Sequence, residues 1–465
     1  MRSRQLFAYM FGTIIGVGWI TASGSWLQNA GTIGAIIAFA GGALVMLAIG
    51  FCFAELSSMM PESAGAIAFG HRAFGPAGCF VIGWLLIMAY FVFTAYYVIS
   101  IVWLINATGF SLGGPELYRV NGEGVYLGSL VAGTAAALMV TLSNAIGAGA
   151  SAKFQDALVW GLVVFVLVLF VTSLSFGNAQ NMQPLFAGAT ASVSAGAILA
   201  VMATTPVWFS GFDVLPQMMR ERHPSVSAKS IGMIMALGIL AAFIFYALVI
   251  IATSHLLGAE ALAVSQVPAF DAFATGADSV LLARLVLIAG LLGILTTWNA
   301  TIFSGSRIIA AMSKAGFLPG RLGYRSKSTG VPVLAVVALG FAPIPLGLLG
   351  SGGADAVIAS SSLAFLIVFV LVCLAAVKLR REEPQVERPF RMPLGTAMAW
   401  IALVLSLLLI IAALLDSLRI SQGLPIEWTL LVGWLLLGIP VWFLGKPQRR
   451  QLDELVASEA ILGSS

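Results

Sequence analysis

Asp213 is the residue whose type and position promise chemistry. It stands in ATTPVWFSGFDVLPQMM, just after a Ser210-Gly211 pair that interrupts an apolar run. A carboxylate at bilayer depth is costly to keep and marks a functional site by default. A second interruption, GTIIGVGW from Gly12 to Trp19, lies near the start of the chain. Interrupted spans in corresponding halves of a membrane protein frame a substrate site between them. Unwinding a helix bares its backbone: N–H groups at the new helix start suit an anion, and carbonyls suit a cation. Two facing breaks can therefore receive a zwitterion with no charged side chain. Glycine pairs also serve close helix packing. Two breaks at one depth, one of them followed by an acid, favour the site.

Composition says what must position these residues. Of 465 residues, 60% are hydrophobic and 9% charged, and the mean hydropathy is +1.02. A soluble domain carries roughly 25% charged residues, so the chain reads as an integral membrane protein. Its 50 glycines suit closely packed membrane helices. The apolar runs are too long for barrel strands and lack their alternation. The net charge of +4 is an orientation signal, with no nucleic-acid partner implied. Cys52, Cys79 and Cys373 fall in apolar runs without ligand spacing, and no metal or cofactor is expected. The N-terminal MRSRQLFAYMF reads as the start of an uncleaved first helix, because its apolar stretch outruns a signal-peptide core.

About twelve segments are long enough to span. They cover 6–28, 32–57, 78–106, 125–147, 153–176, 195–219, 230–254, 280–312, 331–350, 354–378, 395–418 and 426–444. Alternating along them puts Lys and Arg on one side, with only Arg119, Arg284 and Arg419 of the 23 on the other. That asymmetry predicts both termini in the cytoplasm and a location in the plasma (cytoplasmic) membrane. From Arg4 to Gly16 is roughly 18 Å of helix, and from Gly211 to Arg222 roughly 16 Å, at about 1.5 Å per residue. Both breaks then lie near the midplane of a core about 30 Å thick.

The quoted residues resemble the amino acid–polyamine–organocation (APC) transporter family, of the amino acid permease type. GTIIGVGW is similar to the family's first-helix pattern G-x-I-I-G-x-G-I-F, and FSGFD at 209–213 to its sixth-helix pattern. AELSSMMPESAGAIAFGHRAFGP at 54–76, NATIFSGSRIIAAMSKAGFLP at 299–319 and LRREEPQVERPFRMP at 379–393 resemble further family segments, in the family's order. The resemblance implies an all-α polytopic membrane protein with broken helices 1 and 6 and two inverted five-helix repeats. Repeat one would cover 1–176 and repeat two 195–378, with peripheral helices at 395–444. All of 1–444 is then one transmembrane domain, and 445–465 a short cytoplasmic tail. It implies that the substrate carboxylate meets N–H groups around Gly16, Val17 and Gly18. The amine would meet carbonyls around Ile14 and Phe209, with Ile15, Trp208, Ser210 and Gly211 alongside and Phe209 as a gate. The chain departs from the family pattern at Trp19, usually Ile. It also lacks an acidic pair after Asp213, and Leu162 falls where many proton-coupled relatives carry a Lys.

Other residues are weighed with these. Asp213 reads as a protonatable coupling or gating residue, or as a structural N-cap of the second half-helix. Tyr90, Tyr96 and Tyr97 in the third span, and Trp208, Trp298 and Asn299, are candidates to line the cavity. Thr296 and Thr297, with Ser304 and Ser306, offer oxygens to a Na⁺ ion between helices 1 and 8. Ser360, Ser361 and Ser362 read first as small-residue packing. Glu55 and Glu62, at or just past the cytoplasmic end of the second span, read as interfacial carboxylates paired with Arg72, with a cytoplasmic hinge or gate as the alternative, and Asp156 as the partner of Lys153. No H-E-x-x-H or G-x-S-G motif supports an enzyme. A channel would favour symmetric rings of charge or carbonyls, and a transporter-like sensor brings no added signalling domain. The expectation is a permease for an amino acid or related amine, coupled to H⁺ or Na⁺ or run as an exchanger. It would sit in the bilayer as a monomer or homodimer.

Overall fold

The computed structural model describes the chain except residues 62–63, 108–113, 121–122, 220–221, 266, 348–353, 421–423, 446–451 and 453–465. Glu62, Arg220 and all of the expected cytoplasmic tail but Gly445 and Leu452 fall among these exceptions.

The first apolar run forms α1 (Ser3–Ile14), α2 (Gly18–Thr21) and α3 (Ser23–Ala30). The direction turns by 71° between Ser3–Thr21 and Ser23–Ala30. Next come α4 (Thr32–Met59), α5 (Ala66–Ala107), α6 (Leu127–Ile146) and α7 (Ala148–Phe176). The sixth apolar run divides into α8 (Ala191–Phe209) and α9 (Val214–Gln217). It is followed by α10 (Ser230–Leu256), α11 (Ala259–Ala263), α12 (Pro268–Asp271), α13 (Val280–Lys314), α14 (Val333–Phe341) and α15 (Ile344–Gly347). The chain continues in α16 (Ala354–Glu382), α17 (Thr396–Ile420) and α18 (Ile426–Leu444).

Among the described residues ten helices are long and apolar enough to cross a membrane, or eleven with the bent pair at the start. The expected ninth segment is present only as the shorter Val333–Gly347, which runs into residues outside the description. The expected third span at 78–106 is the second arm of a longer α5. Gly75, at φ +72°, and Pro76 break α5 and leave an extra helical arm before them that hydropathy did not show. A small antiparallel hairpin, β1 (Glu116–Val120) with β2 (Glu123–Tyr126), lies between the expected third and fourth spans and takes the first two residues of the fourth.

Packing explains which helices matter for the site. Helix α13 touches α1, α5, α6, α7 and α14, while α4 lies on α8 and α10 and α5 on α16. The outer helices keep apolar faces bare, as at Val164, Leu167 and Val171 on α7 and Leu436, Leu437 and Phe443 on α18. Such faces suit lipid contact, where burial against protein is not required.

One end of the bundle collects the charges. Arg4 pairs with Asp156 at 3.0 Å, Arg72 with Glu383 at 2.8 Å, and Glu55 with Arg380 and Arg388. The N–H of His223 donates to the Met1 carbonyl there. The expected pairs Glu55–Arg72 and Lys153–Asp156 are thus replaced. Sequence spacing favoured near neighbours, whereas the loop after α16 and the start of α1 bring other partners closer.

Candidate functional site

Both breaks form where the glycines stand. Helix α1 stops at Ile14, and Ile15 leaves helical geometry with φ −89° and ψ 88°. Helix α8 stops at Phe209, after which Ser210 is extended and Gly211 has φ +117°. Only glycine accepts that last geometry readily. The two breaks touch. A Cβ on Gly211 would lie 2.8 Å from the Thr13 backbone, and one on Gly18 would lie 2.1 Å from the Trp208 ring. Two glycines therefore let two unwound backbones meet.

The meeting point encloses a cavity of about 40 Å³, room for a few waters. The first break lines it with Thr13, Ile14, Gly16, Val17 and Gly18, and the second with Val207, Trp208, Ser210 and Gly211. The facing wall is Tyr90, Phe93, Tyr96 and Tyr97 from α5, Thr297 and Thr301 from α13, and Ile358 and Phe365 from α16. Tyr246 of α10 completes it.

Backbone groups at the breaks are left unpaired, those of Val17 and Gly18 in the lining of this space. Among the described residues, no protein acceptor stands opposite the N–H groups of Val17 and Gly18, and no donor meets the Phe209 carbonyl. Gly16 N–H is folded back on the Ile14 carbonyl at 3.2 Å. The Tyr246 hydroxyl reaches the carbonyls of both breaks, Trp208 at 2.8 Å and Ile14 at 3.3 Å. A sequence reading missed Tyr246, and its only signal was a hydroxyl in a long apolar run.

Asp213 is fully buried but does not line the cavity. Its carboxylate accepts from the Tyr90 hydroxyl at 2.7 Å and from the Gly211 N–H at 3.2 Å. Tyr90 thus stands between the acid and the cavity. The N-cap expectation fares differently, since Asp213 precedes α9 without a side-chain cap bond to it.

Several other expected residues are placed elsewhere. Phe209 is buried against Phe39 and Tyr246 and does not line the cavity. Ile15 is buried outside it as well. Trp298 packs its ring 6.0 Å from Tyr97, behind the wall, with its indole N–H unpartnered. Asn299 turns to a buried polar cluster, accepting from Asn144 at 2.9 Å and Ser151 at 3.1 Å and donating to Gln155 at 2.9 Å. Adjacent residues on a helix point about 100° apart at 3.6 residues per turn, and here neither faces the cavity.

A second set of oxygens lies beside the first break. The Thr297 hydroxyl is 3.1 Å from the Gly12 carbonyl, 3.2 Å from that of Ile15 and 2.7 Å from that of Gly293. Thr296 donates to Gly293 at 2.8 Å. One hydroxyl hydrogen cannot satisfy three carbonyls, so lone pairs converge there. Ser304 and Ser306 lie farther down α13, and Ser306 is occupied with the Phe303 carbonyl. Among the described residues no group of His, Cys, Asp and Glu could hold a metal.

Comparison with known proteins follows this geometry. The family model described as amino acid permease matches residues 3–437. The methylthioribose transporter of Bacillus subtilis (strain 168) is 24% identical over 459 residues, covering 93% of this chain and 91% of the relative. A branched-chain amino acid permease of the same organism is 24% identical over 454 residues, covering 95% and 92%. The mouse b(0,+)-type amino acid transporter 1 is 25% identical over 431 residues, covering 87% and 80%. With the match running through both broken helices and the wall that faces them, the chain belongs to the amino acid permease family.

Proposed function

We propose that the chain carries an amino acid or related amine across the cytoplasmic membrane by alternating access, together with a proton. The observation behind this is the pair of touching breaks, with the N–H groups of Val17 and Gly18 unpaired in the lining of one cavity and the Phe209 carbonyl unpaired at the second break. The N–H groups take the substrate carboxylate and the carbonyls its amine. The relatives, a branched-chain amino acid permease and an amino acid transporter among them, support the same reading. Two inverted repeats and cytoplasmic termini belong to it, and the charges gathered at the Met1 end support that orientation. Purified protein in liposomes should show saturable uptake and counterflow of an amino acid. A leak without counterflow would indicate a channel instead.

Asp213 is the proposed proton-coupling residue, acting through Tyr90, which it holds at 2.7 Å and which lines the cavity. Protonation would switch the carboxyl from acceptor to donor and change what that hydroxyl offers the substrate. Asp213→Asn should then lose the pH dependence of net uptake while keeping exchange. An unaltered pH profile removes Asp213 from coupling.

The oxygens at Thr297 favour a second reading, coupling to Na⁺. Three carbonyls and two threonine hydroxyls gather there, and oxygen ligands suit a hard cation. Leu162, at the position where many proton-coupled relatives carry a Lys, is fully buried and apolar. Thr297→Val should abolish any Na⁺ stimulation of uptake and leave a Na⁺-independent remainder. Uptake that never responds to Na⁺ in the native protein ends this reading.

A further inference from the structure

We infer that the site selects substrates whose side chain is uncharged and apolar, and rejects both cationic and acidic ones. This rests on the amino acid reading above and goes further by naming the substrate class. Among the described residues, none that lines the cavity is Asp, Glu, Lys, Arg or His. The breaks occupy one side and can hold the α-carboxylate and α-amine. Whatever the substrate carries beyond its α-carbon must then point to the opposite wall.

That wall is mostly rings and one aliphatic chain, and its Thr297 and Thr301 hydroxyls are uncharged. Phe93 lies almost parallel to Tyr97, centroids 5.8 Å apart, and 5.6 Å from Phe365. Tyr90 meets Phe365 edge-on at 5.6 Å, and Ile358 borders the same face. Hydrophobic surfaces of this kind gain by excluding water from an apolar side chain. A carboxylate brought to them finds no cation, so it loses its hydration without return.

A cationic side chain needs a separate argument, because Asp213 lies close and aromatic faces attract cations. Asp213 is already held by Tyr90 and Gly211, and Tyr90 stands between it and the cavity. The attraction of a ring face for an ammonium is smaller than the cost of stripping that ammonium of water. With no free carboxylate in reach, lysine and arginine lose more than they gain.

The test is competition against uptake by the native protein in liposomes, with leucine, methionine, phenylalanine, lysine, arginine, glutamate and aspartate. At least one of the three apolar amino acids should compete at concentrations tenfold or more below every charged one. Any of the four charged amino acids competing as well as the best of the three apolar ones overturns the inference while the amino acid reading stands. Competition by none of the seven overturns the inference, and the absence of saturable uptake of any amino acid overturns the reading beneath it. Ile358→Asp, which places a carboxylate on the wall, should raise the affinity for lysine relative to leucine by tenfold or more. A folded, transporting Ile358→Asp protein with an unchanged ratio also overturns it. If that variant does not fold, the native ratio decides alone.

Discussion

Gly16→Val is expected to yield a protein that folds and inserts normally but no longer binds substrate. The glycines of the two breaks look alike in sequence and differ sharply in what surrounds them. A Cβ on Gly16 would meet only the Thr297 hydroxyl, at 3.6 Å, an ordinary contact. Its bulk would therefore enter the cavity, which holds about 40 Å³. A valine side chain fills such a space, and it stands beside the N–H groups of Val17 and Gly18. Substrate affinity should fall at least about a hundredfold, or about 2.8 kcal/mol at about 1.4 kcal/mol per tenfold. Folding should change by no more than about 1 kcal/mol, since nothing is pushed aside. Gly211→Ala supplies the contrast. There the added carbon would lie 2.8 Å from the Thr13 backbone, at a φ of +117°. That geometry alone costs about 1–3 kcal/mol, and the backbone contact adds to it, so loss of the fold is expected. Thermal unfolding with and without substrate separates the two. Gly16→Val should keep its melting temperature and lose the ligand-induced rise. A Gly16→Val protein that still binds normally removes the first break from the site.

The breaks were legible because each is a local feature. Gly12, Gly16 and Gly18 in one apolar run, and Ser210-Gly211 followed by Asp213 in another, mark positions where a helix gains little by continuing. Their common depth followed from counting residues to flanking arginines. The wall facing them was not legible, because a uniformly apolar helix carries no period to say which face turns inward. Tyr90, Tyr96 and Tyr97 were candidates, and all three reach the cavity. Trp298 and Asn299 were candidates too, and they lie in neighbouring packing and a polar cluster. Tyr246 was passed over, although its hydroxyl touches both broken helices. Phe209 shows a related limit. Its place in the FSGFD motif suggested a gate, but the turn at Ser210 directs its ring toward Phe39. Ion pairs failed for a third reason. Spacing shows partners one turn away, whereas Glu55 and Arg380 are 325 residues apart.

Glu55→Ala is expected to destabilise the protein by about 3–5 kcal/mol, the usual cost of removing one partner from a buried ion pair. Glu55 lies one turn before the end of α4 with a side chain only 1% exposed. Arg380 donates to both its oxygens, from Nε at 2.7 Å and from Nη2 at 2.5 Å. Arg388 approaches at 3.3 Å, and the Met392 N–H donates at 2.8 Å. Burial pulls the Arg388 guanidinium below its ordinary pKa, and the Glu55 charge opposes that shift. One carboxylate therefore compensates two guanidinium groups and one backbone N–H. Removing it takes the carboxylate from all three, and leaves Arg388 only the carbonyls of Glu383, Val386 and Leu379. The effect is also mechanical, because this carboxylate fixes the loop after α16 to the end of α4. Ser58 reinforces the same junction, accepting from the Phe390 N–H at 3.1 Å. The measurement is thermal unfolding in detergent, combined with protease sensitivity of residues 383–395. The variant should melt lower and be cut faster in that loop. Glu55→Leu with Arg380→Met should recover part of the loss, since it strands one guanidinium instead of two. A change in stability below about 0.5 kcal/mol, the range of ordinary surface substitutions, would mean that water reaches Glu55 and that the loop is held by something else.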